Sequence, residues 1–272
     1  MRVDLEGACT ARLLKVDLHR VYTTGLAIWR GPLFSLGTRC ARPTRYPSFM
    51  NIYYGCDETS QGWARYHQTC NAIELSLPQE NTPSIQTLNR WRVESPKGFA
   101  YILSVPEDVV RRALSSTQQT DEDPMSLVFE QAKALAAKAL YVKTPFEFGP
   151  NDSNEAIIQA LAQRVKSQGR TLIWEPEGMW PPEQTYAFAR DHNMMLAIDP
   201  FLWIREGYER VNASDVCFVL TERASARRKF DQYDIEELLD YAEPAQRLFV
   251  LCRGRFKWDH VRELKYCVQS GL

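Results

Sequence analysis

No stretch of the 272-residue chain approaches the roughly 18 to 20 consecutive apolar residues that a membrane-spanning helix needs. The longest uncharged apolar runs are strand-sized, which argues against a membrane protein. Seven cysteines contain no Cys-x-x-Cys pair and no regular spacing, a pattern that points to buried free thiols in a reducing compartment, the cytoplasm. Histidine is scarce: His19, His67, His192 and His260 are the only four. The patterns at Gly149-Pro150 and Gly254 are too short for a phosphate loop. Internal repeats and low-complexity tracts are missing as well. A net charge of −1 gives no overall attraction to nucleic acid or to an acidic membrane.

What is present is enough apolar material for a full core, 44% of residues, in a length that suits one large α/β barrel or two small domains. Strand-like runs recur at 51–56, 70–76, 98–104, 138–144, 170–175, 194–199, 215–221 and 247–252. Between most of them lie stretches with apolar residues at helical spacing, at 63–67, 85–93, 126–136, 155–167, 182–192, 235–242 and 259–268. Eight alternating β and α units in this length predict a (β/α)8 TIM barrel over an open doubly wound sheet, where fewer strands are usual. The region 201–213 shows no clear helix and is expected to be an irregular connection.

The charge is unevenly spread. Residues 1–49 hold seven arginines and one lysine against Asp4, Glu6 and Asp17, so this leader is basic and the remainder of the chain acidic. It lacks the apolar core and cleavage site of a secretory signal, and its acids and lack of helical period make it a weak transit peptide. Met50 directly precedes the first strand-like run. The expectation is a barrel spanning 50–272, with 1–49 a poorly ordered basic extension or a misassigned upstream start.

The segment from Cys70 to Pro106 reads strand, loop, helix, tight turn, strand with almost no wasted residue. Pro83-Ser84 opens the helix, Leu88 and Trp91 share a face, and Pro96-Lys97-Gly98 ends it. Glu74 sits inside a strand that otherwise reads as core, where a carboxylate is costly unless it is paired or functional. Glu74, Pro83-Ser84, Thr87, Arg90-Trp91, Pro96, Gly98-Phe99 and Pro106, in this order and spacing, resemble the YecE-like family, domain of unknown function 72, whose members are TIM barrels. Gly55, Thr144-Pro145 with Phe148, Trp180 and Asp199 extend the resemblance over nearly all of 50–272. The resemblance implies a fold and a place to look, since the family has no settled activity.

The departures from the family pattern cluster at the C-terminal ends of strands, where barrel enzymes place their chemistry. Glu175-Pro176-Glu177 stands where the family usually has an Arg-His pair. Leu220-Thr221-Glu222-Arg223 replaces an Arg-Leu-His-Gly pattern, Arg253-Gly254 replaces a pair of asparagines, and Ser104 replaces a lysine. The family's fold-level kinship with endonuclease IV and xylose-isomerase-like barrels implies a metal site. Endonuclease IV builds its site from strand-end histidines, and this chain offers none, so a zinc-dependent nuclease is not expected.

Two functional readings stay open at this point. In the first, the protein is a hydrolase-type enzyme with Glu74 and Asp199 as its catalytic acid and base, in an acidic pocket at the C-terminal barrel face. Lys143, Glu175, Glu177, Arg223 and Arg253 are its binding residues. No cofactor is implied, although converging carboxylates could hold a divalent cation. In the second, a non-catalytic member has lost the ancestral active-site residues and binds a small-molecule or phosphate-bearing ligand, or nucleic acid. The basic run Arg223, Arg227, Arg228 and Lys229, with Arg253 and nearby aromatics, would then contact phosphates. The plainer alternatives are a satisfied polar rim for Glu177 and Glu222, packed thiols for Cys56 and Cys252, and packing for most of the tryptophans, with Trp174 and Trp203 able to floor a pocket.

Overall fold

The computed structural model describes residues 50–57, 62–77, 82–115, 123–208, 213–221 and 229–270. The basic leader 1–49, with Glu222, Arg223, Arg227 and Arg228, lies outside the described residues. Eight parallel strands alternate with helices: β1 (Asn51–Cys56), α1 (Trp63–Thr69), β2 (Ala72–Ser76), α2 (Ile85–Glu94), β3 (Ala100–Ser104), α3 (Glu107–Ser115), α4 (Ser126–Leu135) and β4 (Ala139–Thr144). The second half continues with α5 (Asp152–Ser167), β5 (Thr171–Pro176), α6 (Pro182–Asp191), β6 (Met195–Ile198), α7 (Pro200–Arg205), β7 (Asp215–Leu220), α8 (Gln232–Tyr241), β8 (Arg247–Cys252) and α9 (Lys257–Ser270). Strand order is β1-β8-β7-β6-β5-β4-β3-β2, the wrap of a TIM barrel. Seven of the eight predicted strand runs contain one of these strands, and the run 170–175 covers β5 up to its last residue, Pro176.

Two helices differ from the sequence reading. The segment at 201–213, expected to be irregular, contains α7, whose six residues are too few to display a helical period. Its signal is local: Asp199 accepts hydrogen bonds from the Phe201 and Leu202 N–H groups, and Pro200 supplies a preset φ at the first turn. Helix α3 was not anticipated either. It begins directly after Pro106 with Glu107 and Asp108 in its first turn, and it buries Val109, Val110 and Leu114. By contrast, α2 starts as the sequence predicts, with Ser84 Oγ accepting from the Thr87 N–H at 3.2 Å.

The strands divide their side chains by a period of two. One set, including Ala72, Ala100, Ile102, Ala139, Tyr141, Ile173, Met195, Cys217, Val219, Phe249 and Leu251, packs inside the barrel. The other set packs against the helices. The two classes are the reason the strands read as near-continuous apolar runs. They also fix what comes next along each strand: two residues beyond an inner core residue, the side chain is again on the inner face but at the C-terminal mouth.

Seven of the eight junctions are ladders of parallel strands. In the β1–β8 ladder Cys56 and Cys252 are register partners, and both are buried free thiols, as the packed-thiol reading expects. The eighth junction, between β1 and β2, is built mainly by side chains. The Asn71 amide takes the place of a peptide unit, its Oδ1 accepting from Tyr54 N at 2.7 Å and its Nδ2 donating to Ile52 O at 2.8 Å. The Tyr66 hydroxyl accepts from Cys56 N at 2.9 Å and lies 2.8 Å from Ala72 O and 3.0 Å from Cys56 O. Burial raises the Tyr66 phenol above its ordinary pKa, so this hydroxyl keeps its proton to donate. One backbone bond, Asn71 N to Tyr54 O at 3.2 Å, completes the seam.

Candidate functional site

The period-two rule explains how the mouth is furnished. Above Ala72 stands Glu74; above Ile102, Ser104; above Tyr141, Lys143; above Ile173, Glu175; above Leu251, Arg253. These five residues, with Glu177 and Tyr141, line a cavity of about 290 Å³ at the C-terminal ends of the strands. Its remaining walls are Val105, Glu107, Thr144 and Pro145. Five of the seven site residues read from the sequence are therefore brought together: Glu74, Lys143, Glu175, Glu177 and Arg253.

Arg253 organises the centre. Its Nη2 donates to Glu74 Oε1 at 2.7 Å and its Nε to Glu74 Oε2 at 3.0 Å, a bidentate fork, while Nη1 donates to Glu175 Oε2 at 3.1 Å. Ser104 Oγ adds a third donor to Glu74, at 2.7 Å from Oε1. Glu74 is only 7% exposed, so the pairing answers why a carboxylate is tolerated in this strand. The guanidinium also stacks on Tyr141, 4.6 Å from the ring centroid. Burial opposes the charge on Arg253, yet the surrounding Tyr141, Glu74 and Glu175 oxygens hold its pKa above the ordinary arginine value. It is a permanent cation.

Tyr141 donates its hydroxyl to Glu175 Oε2 at 2.5 Å. Burial, and then the charge of Glu175, push this phenol well above its usual value of 10, so it keeps its proton and donates a hydrogen bond to the carboxylate. Tyr141 was not singled out from the sequence. The signal was available, because it shares the parity of Lys143 on the same strand. At the rim, Lys143 Nζ and Glu177 Oε1 are 2.6 Å apart in a half-exposed ion pair, the satisfied-rim role read for Glu177.

Asp199 is placed elsewhere. It keeps the inner-face parity of β6 but lines a different cavity of about 420 Å³, walled by Trp180, Trp203, Tyr208, Pro182 and Leu202 among others. Its Oδ1 caps α7, and its Oδ2 accepts from Thr221 Oγ1 at 3.1 Å. Among the described residues Glu74 and Asp199 thus line two different cavities. Trp203 lines this pocket, the role read for it from the sequence, whereas Trp174 is fully buried and donates to Thr144 Oγ1.

Burial raises the Asp199 carboxyl above its ordinary pKa, and the opposing hydrogen bonds from Leu202, Thr221 and Phe201 do not overcome it. A carboxyl with a raised folded-state pKa contributes stability that is present below the unfolded value and is lost as pH rises through the folded one. Asp199→Asn keeps a capping acceptor but cannot titrate. In urea unfolding at pH 7 and pH 4, the wild type is expected to gain stability relative to Asp199→Asn at the lower pH. A relative loss on acidification would show that the ionised carboxylate is the stabilising form.

Among the described residues, no group of three or more His, Cys, Asp or Glu is arranged to hold a metal ion. His67 and His192 belong to helices or helix ends outside the barrel, and His260 is buried on α9, where its Nε2 accepts from Phe230 N at 3.3 Å. No described helix is long and apolar enough to cross a membrane. Of the basic run considered for phosphate binding, only Lys229 is described; it lies 3.4 Å from Asp259.

No family model matches the chain, and no curated protein is detectably similar to it. Solved structures are. A DUF72 family protein of Thermotoga maritima superposes with a TM-score of 0.60 at 14% identity, over 80% of this chain and 99% of its own. A DUF72 family protein of Enterococcus faecalis V583 gives a TM-score of 0.61 at 16% identity, over 81% and 98%. An L-ribulose 3-epimerase follows at 0.53 and 13%, over 82% and 94%. At these identities the likeness establishes the TIM-barrel fold, and the family whose motifs residues 70–106 resemble is among the structures that share it.

Proposed function

We propose, with a divergent DUF72-like TIM barrel as the premise, that the C-terminal mouth binds a small polar molecule that is uncharged or cationic and carries no phosphate. The observation behind this reading is the use made of Arg253. An arginine at a barrel mouth is suited to grip a phosphate bidentately. Here three of its five N–H donors, one on each nitrogen, are committed to Glu74 and Glu175, and both counter-charges are already carboxylates. Among the described residues the cavity is lined by four carboxylates against two cations, an excess that disfavours anions and favours hydrogen-bond donors.

Glu175 is the natural contact. Its Oε2 serves Tyr141 and Arg253, and its Oε1 has no hydrogen-bond partner among the described residues. A ligand hydroxyl or ammonium group would complete it. The hydrolase reading with Glu74 and Asp199 as acid and base draws less support, because that chemistry needs both carboxylates on one substrate. Glu74 already accepts from three donors, and Asp199 caps a helix beside another cavity. Any acid–base chemistry at this mouth would be built on Glu175, with Tyr141 as its hydrogen-bond donor.

The test is a calorimetric screen of neutral polyols and sugars, small amines, and phosphate esters against wild type and Glu175→Gln. Polyols or amines are expected to bind, with affinity reduced about tenfold or more in Glu175→Gln, the worth of one charge-assisted hydrogen bond. A ligand whose binding depends on Glu175 but which is itself a phosphate ester would refute the charge argument. Polyol or amine binding indifferent to Glu175→Gln would refute the site.

A further inference from the structure

The N-terminal end of the barrel has a cavity of opposite character. About 220 Å³ in volume, it lies where β5, β6 and β7 begin, and Lys166, Arg170 and Arg190 line it with Asp215 as the one acid among the described residues. Lys166 and Arg190 stand in the last turns of α5 and α6, where the helix dipole favours cations on its own account. Arg190 also pairs with its neighbour Asp191 at 3.0 Å.

Arg170 has no such explanation. It lies in the turn between α5 and β5, and its Nη1 donates to Gln168 O at 2.7 Å. Its Nε is shielded from water and has no hydrogen-bond partner among the described residues. The cavity's acid does not serve it, because Asp215 is taken bidentately by Arg247, with Nε on Oδ1 at 3.0 Å and Nη2 on Oδ2 at 2.5 Å. Burial lowers the Arg170 pKa below the ordinary arginine value, the effect of desolvating a charge. Three cations around one cavity whose described acid is already paired call for an anion.

We infer that this cavity is a second binding site, for a small multivalent oxyanion such as the phosphoryl group of a phosphate-bearing metabolite, held by Arg170 with Lys166 and Arg190. It is separate from the mouth and opposite to it in charge preference.

Inorganic pyrophosphate titrated into the full-length protein at low salt is the probe. Binding is expected in the wild type, loosened about tenfold or more by Arg170→Gln, loosened less by Arg170→Lys, and weakened steeply by added salt. Glu175→Gln is expected to leave it unchanged, which keeps failure here distinct from failure at the mouth. Thermal melts establish that each variant is folded; if Arg170→Gln is not, Lys166→Gln serves, with a loss of several-fold expected. Absence of wild-type binding at millimolar pyrophosphate, or equal affinity in the folded variants, would overturn the assignment.

Discussion

Replacing Gly55 with alanine is expected to cost the barrel about 3–5 kcal/mol, a large share of the roughly 5–15 kcal/mol that a folded domain has in hand. A Cβ at this position would lie 1.9 Å from the Ala72 carbonyl oxygen, 2.6 Å from its carbon and 2.8 Å from the Tyr66 hydroxyl. The first two are backbone atoms of β2, so no rotamer change relieves the clash. The strands must separate instead, and separation breaks the hydrogen bonds of Tyr66 and Asn71 across the seam, each worth about 1 kcal/mol net. Gly149 is the control, since a Cβ there meets nothing within 4 Å and its φ is ordinary. Gly149→Ala is expected to stay within about 0.5 kcal/mol of wild type in urea unfolding. Equal midpoints for the two variants would show that β1 and β2 can part without cost.

Arg253→Met is expected to be nearly as damaging, by about 3–5 kcal/mol, through the charges it strands rather than the volume it changes. Methionine fills much of the arginine stem, but Glu74 would keep only the Ser104 hydroxyl, and Glu175 only Tyr141. A mostly buried carboxylate without a counter-charge is the costly remainder of a broken ion pair. Adding Glu74→Gln to Arg253→Met is therefore expected to recover a substantial part of the loss, although Glu74→Gln alone would be destabilising. That reversal of sign in a double-mutant cycle is the diagnostic result. Strict additivity in chemical denaturation would show that Arg253 acts through packing alone.

The strands and the membership of the mouth were legible because both follow from alternation. Each strand carries an apolar core and then, two residues on, a polar side chain of the same parity. Strand ends taken in order thus gave Glu74, Ser104, Lys143, Glu175 and Arg253 as neighbours. What alternation does not encode is which way a side chain turns once it leaves the sheet. Asp199 shares that parity, yet β6 lies across the barrel from β2, and the N–H groups of α7 draw its carboxylate to themselves. The Asp-Pro preceding Phe201 was the sequence's own sign of a helix cap, and it competed with the catalytic reading of the same residue. Tyr141 escaped notice for the opposite reason: an aromatic residue in an apolar run reads as packing, and its hydroxyl matters only once Glu175 and Arg253 are beside it. The basic cavity at the other end draws on helix C-termini and a turn, so no single motif in the chain announces it.

The β1–β2 seam also bears on the order in which the barrel can assemble. Its bridging bonds join residues close in the chain, Tyr54 to Asn71 over 17 positions and Tyr66 to Ala72 over 6. The ladder on the other side of β1 joins Asn51 to Arg247, and so cannot exist before the last strand has been made. Short loops close at small entropic cost and long ones later. A nascent chain can therefore latch its first two strands through one amide and one phenol while most of the barrel is still unmade, and the long-range β1–β8 pairing is left as the act that completes the ring.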